Sequence, residues 1–178
     1  MVNLSLYTVR AIVMLDSEGN RLLAKYYSRE QSTPMSCKTT KEQKKFESDL
    51  FSKTRKSTSE IILYEGQTVV FKYVNDVYFY LVGNPEENEL LLSSVLNGLV
   101  EAISLLLNLL DNLDMVVIAL DEAIDDGIAL ETDPNVIAAN VSKRGMDTID
   151  VSLGDINEQS IMDAYKHVKD RINLALLR

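Results

Sequence analysis

The chain of 178 residues has no tryptophan, one cysteine, one histidine and three prolines. Each scarcity excludes something. A single thiol, Cys37, forms no intrachain disulfide, and a lone thiol suits a reducing cytosol. A single imidazole, His167, flanked by Lys166 and Lys169, leaves no His/Cys cluster for zinc and no histidine base for a Cys37 nucleophile. The seven glycines are scattered, and none falls into G-x-G-x-x-G or G-x-x-x-x-G-K-[ST]. Positive charge is also in short supply: 18 Lys and Arg stand against 27 Asp and Glu, a net charge of −9 and a pI near 4.6. The basic face that releases counterions from nucleic acid is missing, and attraction to an anionic membrane is disfavoured. No long apolar run is clean. The longest, residues 90–110, holds Asn97, Glu101 and Asn108 and reads as a buried helix rather than a membrane insertion. The start, MVNLSLYTVR, lacks a basic n-region and does not read as a signal peptide.

Apolar residues make up 46% of the chain and charged residues 25%, the balance of a soluble globular domain. Residues 5–15 read as a strand with Val9, Ala11, Val13 and Leu15 on one face and Ile12 and Met14 on the other; apolar residues on both faces predict helices on both sides of a sheet. Residues 21–27, RLLAKYY, return after a DSEGN turn as a hairpin partner. Phe46, Leu50 and Phe51 recur at helical spacing, predicting an amphipathic helix over residues 40–55. EIILYEG, QTVVFKYVN and DVYFYLVG follow as an antiparallel meander turning at Glu65-Gly66 and Asn75-Asp76. The aromatics Tyr73, Tyr78, Phe79 and Tyr80 read as sheet packing rather than a peptide groove.

A long core helix is predicted next, with Asn84 as cap, Pro85 at its first position and Glu87 completing a capping box. A third helix covers about 113–126 and a short fourth follows Pro134. Residues 145–154 alternate as an extended segment. Ile161, Tyr165, Val168, Ile172 and Leu176 then step by three and four, giving a C-terminal amphipathic helix. The class is α+β: a five-stranded, mostly antiparallel sheet with helices on both faces. Residues 1–144 form the domain, and residues 145–178 form an extension docked on the domain or on a partner.

One stretch is chemically loud. ALDEAIDDGIALETDP, residues 119–134, holds six carboxylates: Asp121, Glu122, Asp125, Asp126, Glu131 and Asp133. On a helix, Val117, Leu120 and Ile124 share one side. Asp121 repels Asp125 on another, and Glu122 repels Asp126, near the negative end of the dipole. Three readings stay open: a divalent-cation site, which lacks the D-x-D-x-D-G loop spacing; a solvated helix end; and an acidic patch met by a basic partner.

Four segments carry a family resemblance. LYTVRAIVMLDSEGNRLLAKYY, QTVVFKYVNDVYFYLVG, ALDEAIDDGIALETDP and the terminal KDRINLALLR, in this order and spacing, resemble the adaptor complex small chains, and among them the zeta subunits of coatomer, the COPI coat. The shared marks include Ala24-Lys25-Tyr26-Tyr27 and Asp121-Glu122. The resemblance implies a longin-like fold and a non-enzymatic coat subunit without cofactor, paired with the coatomer gamma subunit. It implies recruitment by an Arf-family GTPase to the cytosolic face of Golgi membranes and a part in Golgi-to-ER and intra-Golgi transport. Small chains that read acidic dileucine cargo carry a basic residue two positions before the Ala-Lys; here that position is Leu22, with Arg21 on the opposite strand face. A cargo-reading small chain and a longin-type GTPase regulator are the alternatives to the scaffold. The expected partner surface comprises Asp121, Glu122, Ile124, Asp125 and Asp126 on the third helix and Ile161, Tyr165, Val168 and Ile172 on the last.

Overall fold

The computed structural model describes residues 8–27, 39–57, 59–106 and 113–150, with side chains to 144. The chain divides into Met1–Ser142 and Lys143–Arg178, and both sheets lie in the first unit. The elements are β1 (Val9–Asp16), β2 (Arg21–Tyr26), α1 (Thr40–Thr54), β3 (Ile61–Tyr64), β4 (Gln67–Val74), β5 (Val77–Gly83), α2 (Glu89–Leu105), α3 (Leu113–Ala123), β6 (Ile124–Asp125), β7 (Ile128–Ala129) and α4 (Pro134–Asp150). The five long strands form one sheet in the order β2-β1-β5-β4-β3, and every neighbouring pair is antiparallel.

The predicted hairpins form where the turn chemistry asks for them. Asn75 and Asp76 both adopt positive φ (50° and 62°), as do Glu65 and Gly66 (50° and 70°), the twist that a two-residue connection needs. At the β1–β2 turn the Asp16 carboxylate accepts the N–H groups of Glu18 (2.9 Å) and Asn20 (2.8 Å).

Two cores sandwich the sheet. Ala11, Val13, Leu15, Phe71, Tyr80 and Val82 pack with Phe46, Leu50 and Phe51 of α1. Ile12, Met14, Phe79 and Leu81 pack on the other face with Leu92, Leu96 and Leu99 of α2 and Leu120 of α3. Phe79 and Tyr80 are both fully buried, on opposite faces, because strand side chains alternate. Tyr73, in contrast, is 49% exposed and bonds Asp76. α1 carries a capping box that its apolar spacing does not announce: Thr39 accepts the Glu42 N–H while the Glu42 carboxylate accepts that of Thr39.

Several expectations are corrected. Val9 sits in the α2–α3 core, not with Ala11, because a bulge at Arg10 sets Val9 opposite Gly83 and Ala11 opposite Val82 and so inverts the alternation. α2 starts four residues late. Asn84 to Glu87 close a turn through the Glu87 N–H to the Asn84 carbonyl (3.1 Å), the Asn84 carboxamide is taken by Arg10, and Asn88 caps the helix by accepting the Leu90 N–H (2.9 Å). α3 ends at Ala123, and Asp125 and Asp126 leave it for a small hairpin, because Asp126-Gly127 (φ 45° and 83°) is a turn dipeptide. The carboxylate pairs expected four apart on a helix therefore do not form. On α3 the buried side is Val116, Ala119, Leu120 and Ala123, and Val117 is 43% exposed.

Residues 145–150 are helical rather than extended. Asp133 accepts the Asn135 N–H (2.8 Å), Pro134 opens α4, and an interior Gly145 costs only about 1 kcal/mol, too little to stop a nucleated helix. The rest of that segment, residues 151–154, lies outside the described residues, as do Cys37, His167 and the segment expected to form the terminal helix, with Ile161, Tyr165, Val168 and Ile172.

Candidate partner interface

The acidic stretch folds into the end of α3, the β6–β7 hairpin and the start of α4. Two glycines let it seat. Val9 donates its N–H to the Gly127 carbonyl (3.0 Å), and a Cβ on Gly127 would stand 2.5 Å from the Val9 carbonyl oxygen. A Cβ on Gly98 of α2 would stand 2.0 Å from the Thr132 carbonyl oxygen, so the segment after the hairpin lies directly on the α2 backbone.

Within that frame most of the carboxylates are committed. Asp121 is ion-paired with Lys25 of β2. Glu122 accepts the Asn140 side-chain amide of α4 (2.6 Å). Glu131 accepts the N–H groups of Thr132 (2.7 Å) and Asp133 (2.9 Å), and Asp133 caps α4. Asp125 and Asp126 stand exposed at the hairpin tip. Among the described residues no three acidic, histidine or cysteine side chains converge to hold a metal. Ile124 is fully buried in the α2–α3 core. It supports the hairpin from beneath, which corrects its expected place on a partner-facing surface.

The Lys25–Asp121 pair joins the two short motifs that carry the family resemblance. Lys25 also lies over the Tyr27 ring, 5.4 Å from its centre. Tyr27 has its phenol pushed well above the usual range, by burial first and then by the charges of Asp121, Asp125 and Asp126. Its hydroxyl is buried without a hydrogen-bond partner among the described residues. Both motifs stand out in the sequence but their contact does not, since 96 residues separate Lys25 from Asp121.

The face around this centre is apolar as well as acidic. Leu113 and Val117 precede Asp121 at four-residue steps along one stripe of α3, 39% and 43% exposed, and Leu130 beyond the hairpin is 59% exposed. On the other side of the β1–β2 hairpin, Arg21 donates twice to Glu47 of α1 (2.8 and 2.6 Å), and Tyr26 adds its hydroxyl (2.7 Å). Leu22 packs towards the α2–α3 core. The guanidinium nearest the expected cargo-reading position is thus held on the opposite face of the strand.

The described residues form a five-stranded antiparallel sheet between one helix and a helical layer, an α+β sandwich. Residues 8–148 match the family model for the clathrin adaptor complex small chain, and the chain belongs to that family. Its relatives include coatomer subunit zeta-1 of Homo sapiens, 41% identical over 98% of this chain and 96% of that protein. Coatomer subunit zeta-1 of Arabidopsis thaliana is 39% identical over 96% and 97%. Coatomer subunit zeta of Saccharomyces cerevisiae is 42% identical over 80% of this chain and 82% of its own length. Within the family the kinship is therefore with the coatomer zeta subunits. The fold also matches a chain of a homology model of the full-length AP-3 complex in a stretched open conformation, with a TM-score of 0.57, 19% identity, and coverage of 82% of this chain and 99% of that one. The sheet and its flanking helices are accordingly longin-like. Among the described residues no helix is long and apolar enough to cross a membrane.

Proposed function

We propose that the chain is the non-enzymatic small subunit of the COPI coat, held in the adaptor-like half of coatomer by pairing with the gamma subunit. The observation that carries this is the 41% identity to a coatomer zeta subunit across nearly the whole of both chains. In this reading the protein is cytosolic and reaches Golgi membranes indirectly, through a coat recruited by an Arf-family GTPase. It serves Golgi-to-ER and intra-Golgi transport by completing a scaffold.

The partner surface in this reading is the α3 stripe of Leu113, Val117 and Asp121 with the acidic hairpin tip. Apolar area supplies the affinity and the acids fix the register of a basic partner. Residues 145–178 are taken as an extension that docks on the domain or on the partner, with Ile161, Tyr165, Val168 and Ile172 as its contact stripe. Leu22 and the engaged Arg21 speak for scaffolding over cargo reading.

Co-expression with the coatomer gamma trunk, followed by size-exclusion chromatography, tests the pairing. A stoichiometric complex that survives the column is expected. Reversal at the tip by Asp125→Lys, which leaves the Asp126-Gly127 turn intact, should raise the dissociation constant at least tenfold without changing the melting temperature. A chain that elutes alone at micromolar concentrations would remove gamma pairing. A complex indifferent to the tip reversal and to Val117→Glu would move the interface elsewhere.

A further inference from the structure

The sheet has a second exposed apolar element, away from the acidic hairpin. β3 is an edge strand, and α2 packs on β4 and β5 rather than over it. Ile61 and Leu63, which point to the α2 side, are 38% and 73% exposed, while Ile62 and Tyr64 turn to the α1 core.

The backbone of this edge is half plugged. Phe71 donates its N–H to the Glu60 carbonyl (2.8 Å), which fixes Glu60, Ile62 and Tyr64 as the residues bonded to β4. The N–H and C=O groups of Ile61 and Leu63 therefore point outward. At Ile61 both are met by one side chain: Ser59 Oγ donates to the Ile61 carbonyl (2.8 Å) and accepts the Ile61 N–H (3.3 Å). A hydroxyl does there what a neighbouring strand would do. At Leu63 no such substitute stands among the described residues.

An exposed edge with apolar side chains and outward backbone groups accepts another strand. Charge selects which. Glu60 and Glu65 are exposed at its two ends. Lys53 reaches β3 from the opposite face, over the Tyr64 ring at 4.3 Å, and Lys72 on the near face is turned to Asn97 of α2 (2.9 Å). A second copy paired antiparallel about Leu63 would bring Glu60 and Glu65 of both chains, four carboxylates, to one seam, which is unfavourable. We propose that the β3 edge is a strand-accepting site for an extended partner segment, apolar at alternate positions and flanked by Lys or Arg, with Ser59 as a displaceable plug.

The test uses the full chain and the synthetic peptide Lys-Thr-Val-Thr-Val-Thr-Lys, read by amide hydrogen exchange at Leu63 and by fluorescence anisotropy. Saturating peptide should slow Leu63 exchange at least tenfold, and exchanging its end lysines for glutamates should weaken binding at least tenfold. Ser59→Ala, which unplugs Ile61, should tighten binding about fivefold, the worth of one net hydrogen bond. Leu63→Pro removes an N–H that the sheet does not use, so it should leave the fold intact and abolish binding. Leu63→Lys, altering only the side chain, should weaken binding at least fivefold. Unchanged Leu63 exchange at millimolar peptide overturns the proposal, as does full binding by a folded Leu63→Pro chain. Self-association of the chain that Leu63→Pro abolishes would make a second copy the occupant and overturn it equally.

Discussion

Gly98 sets helix propensity against packing, and the structure says which wins. It lies inside α2, where replacing glycine with alanine ordinarily stabilises by about 1 kcal/mol. The added Cβ, however, would stand 2.0 Å from the Thr132 carbonyl oxygen and 2.8 Å from its carbon. A comfortable carbon–oxygen approach is about 3.3 Å, so helix and segment must part by about 1.3 Å. The obstacle is backbone on both sides, with no flexible side chain to swing away. Overpacking of this kind costs about 1–3 kcal/mol, more where the backbone itself must yield. Gly98→Ala should therefore destabilise by about 2 kcal/mol net and lower Tm by about 4–8 °C. Ser94→Ala, on the exposed side of the same helix, isolates propensity and should be neutral to slightly stabilising. Thermal and urea unfolding of both variants decide the matter. Because Thr132 leads out of the acidic hairpin, Gly98→Ala should also weaken gamma pairing more than Ser94→Ala does. A Gly98→Ala chain that melts above the parent would refute the close approach of α2 and residues 130–133.

Other substitutions test individual contacts. Glu47 is 3% exposed and accepts from Arg21 and Tyr26, so Glu47→Ala should cost about 3 kcal/mol in urea unfolding; a loss under about 1 kcal/mol would mean the cluster is not formed. The Lys25–Asp121 pair is 42% and 46% exposed, so a Lys25→Met/Asp121→Asn double-mutant cycle should give a coupling below about 1 kcal/mol that shrinks in salt. A coupling above about 2 kcal/mol would show the pair to be far better shielded from solvent. Tyr27→Phe removes a buried hydroxyl that has no partner among the described residues and should stabilise by about 1 kcal/mol with an unchanged denaturant slope. Destabilisation of that size would reveal a partner for the hydroxyl.

The sheet was legible because its information is local. Strand alternation from Ala11 onward, the Asn75-Asp76 and Glu65-Gly66 turns and the Phe46/Leu50/Phe51 spacing of α1 each act within a few residues, and each appears where expected. Errors arose where one residue had two local uses. Asn84-Pro85 suits a helix start and a turn equally, and the outcome depended on Arg10, 74 residues earlier, taking the Asn84 side chain. Asp126-Gly127 suits a helix end and a hairpin turn, and the contact of Gly127 with Val9 favours the hairpin. The bulge at Arg10 has no signature in β1 alone; it is a property of the pairing with β5. The meeting of Lys25 with Asp121 follows from strand order, which composition and periodicity do not encode.

The acidic stretch also changes meaning once folded. Six carboxylates in sixteen residues look like a chemical centre, yet four of them serve local structure: one pairs with Lys25, one links α3 to α4, and two organise the start of α4. Their density follows from packing a helix end, a two-residue hairpin and a helix start into one short segment: Asp121 and Glu122 tie the helix end to side chains of β2 and α4, and Glu131 and Asp133 accept backbone N–H groups at the helix start. Reversing all of the acids together would therefore confound loss of fold with loss of partner. The informative comparison is between Asp125 and Asp126 at the tip and Glu122 and Asp133 behind it. If gamma pairing depends on charge at this face, Asp125→Lys should lower affinity with no change in melting temperature. Glu122→Ala or Asp133→Ala should instead lower the melting temperature first, and affect pairing only as far as the hairpin moves.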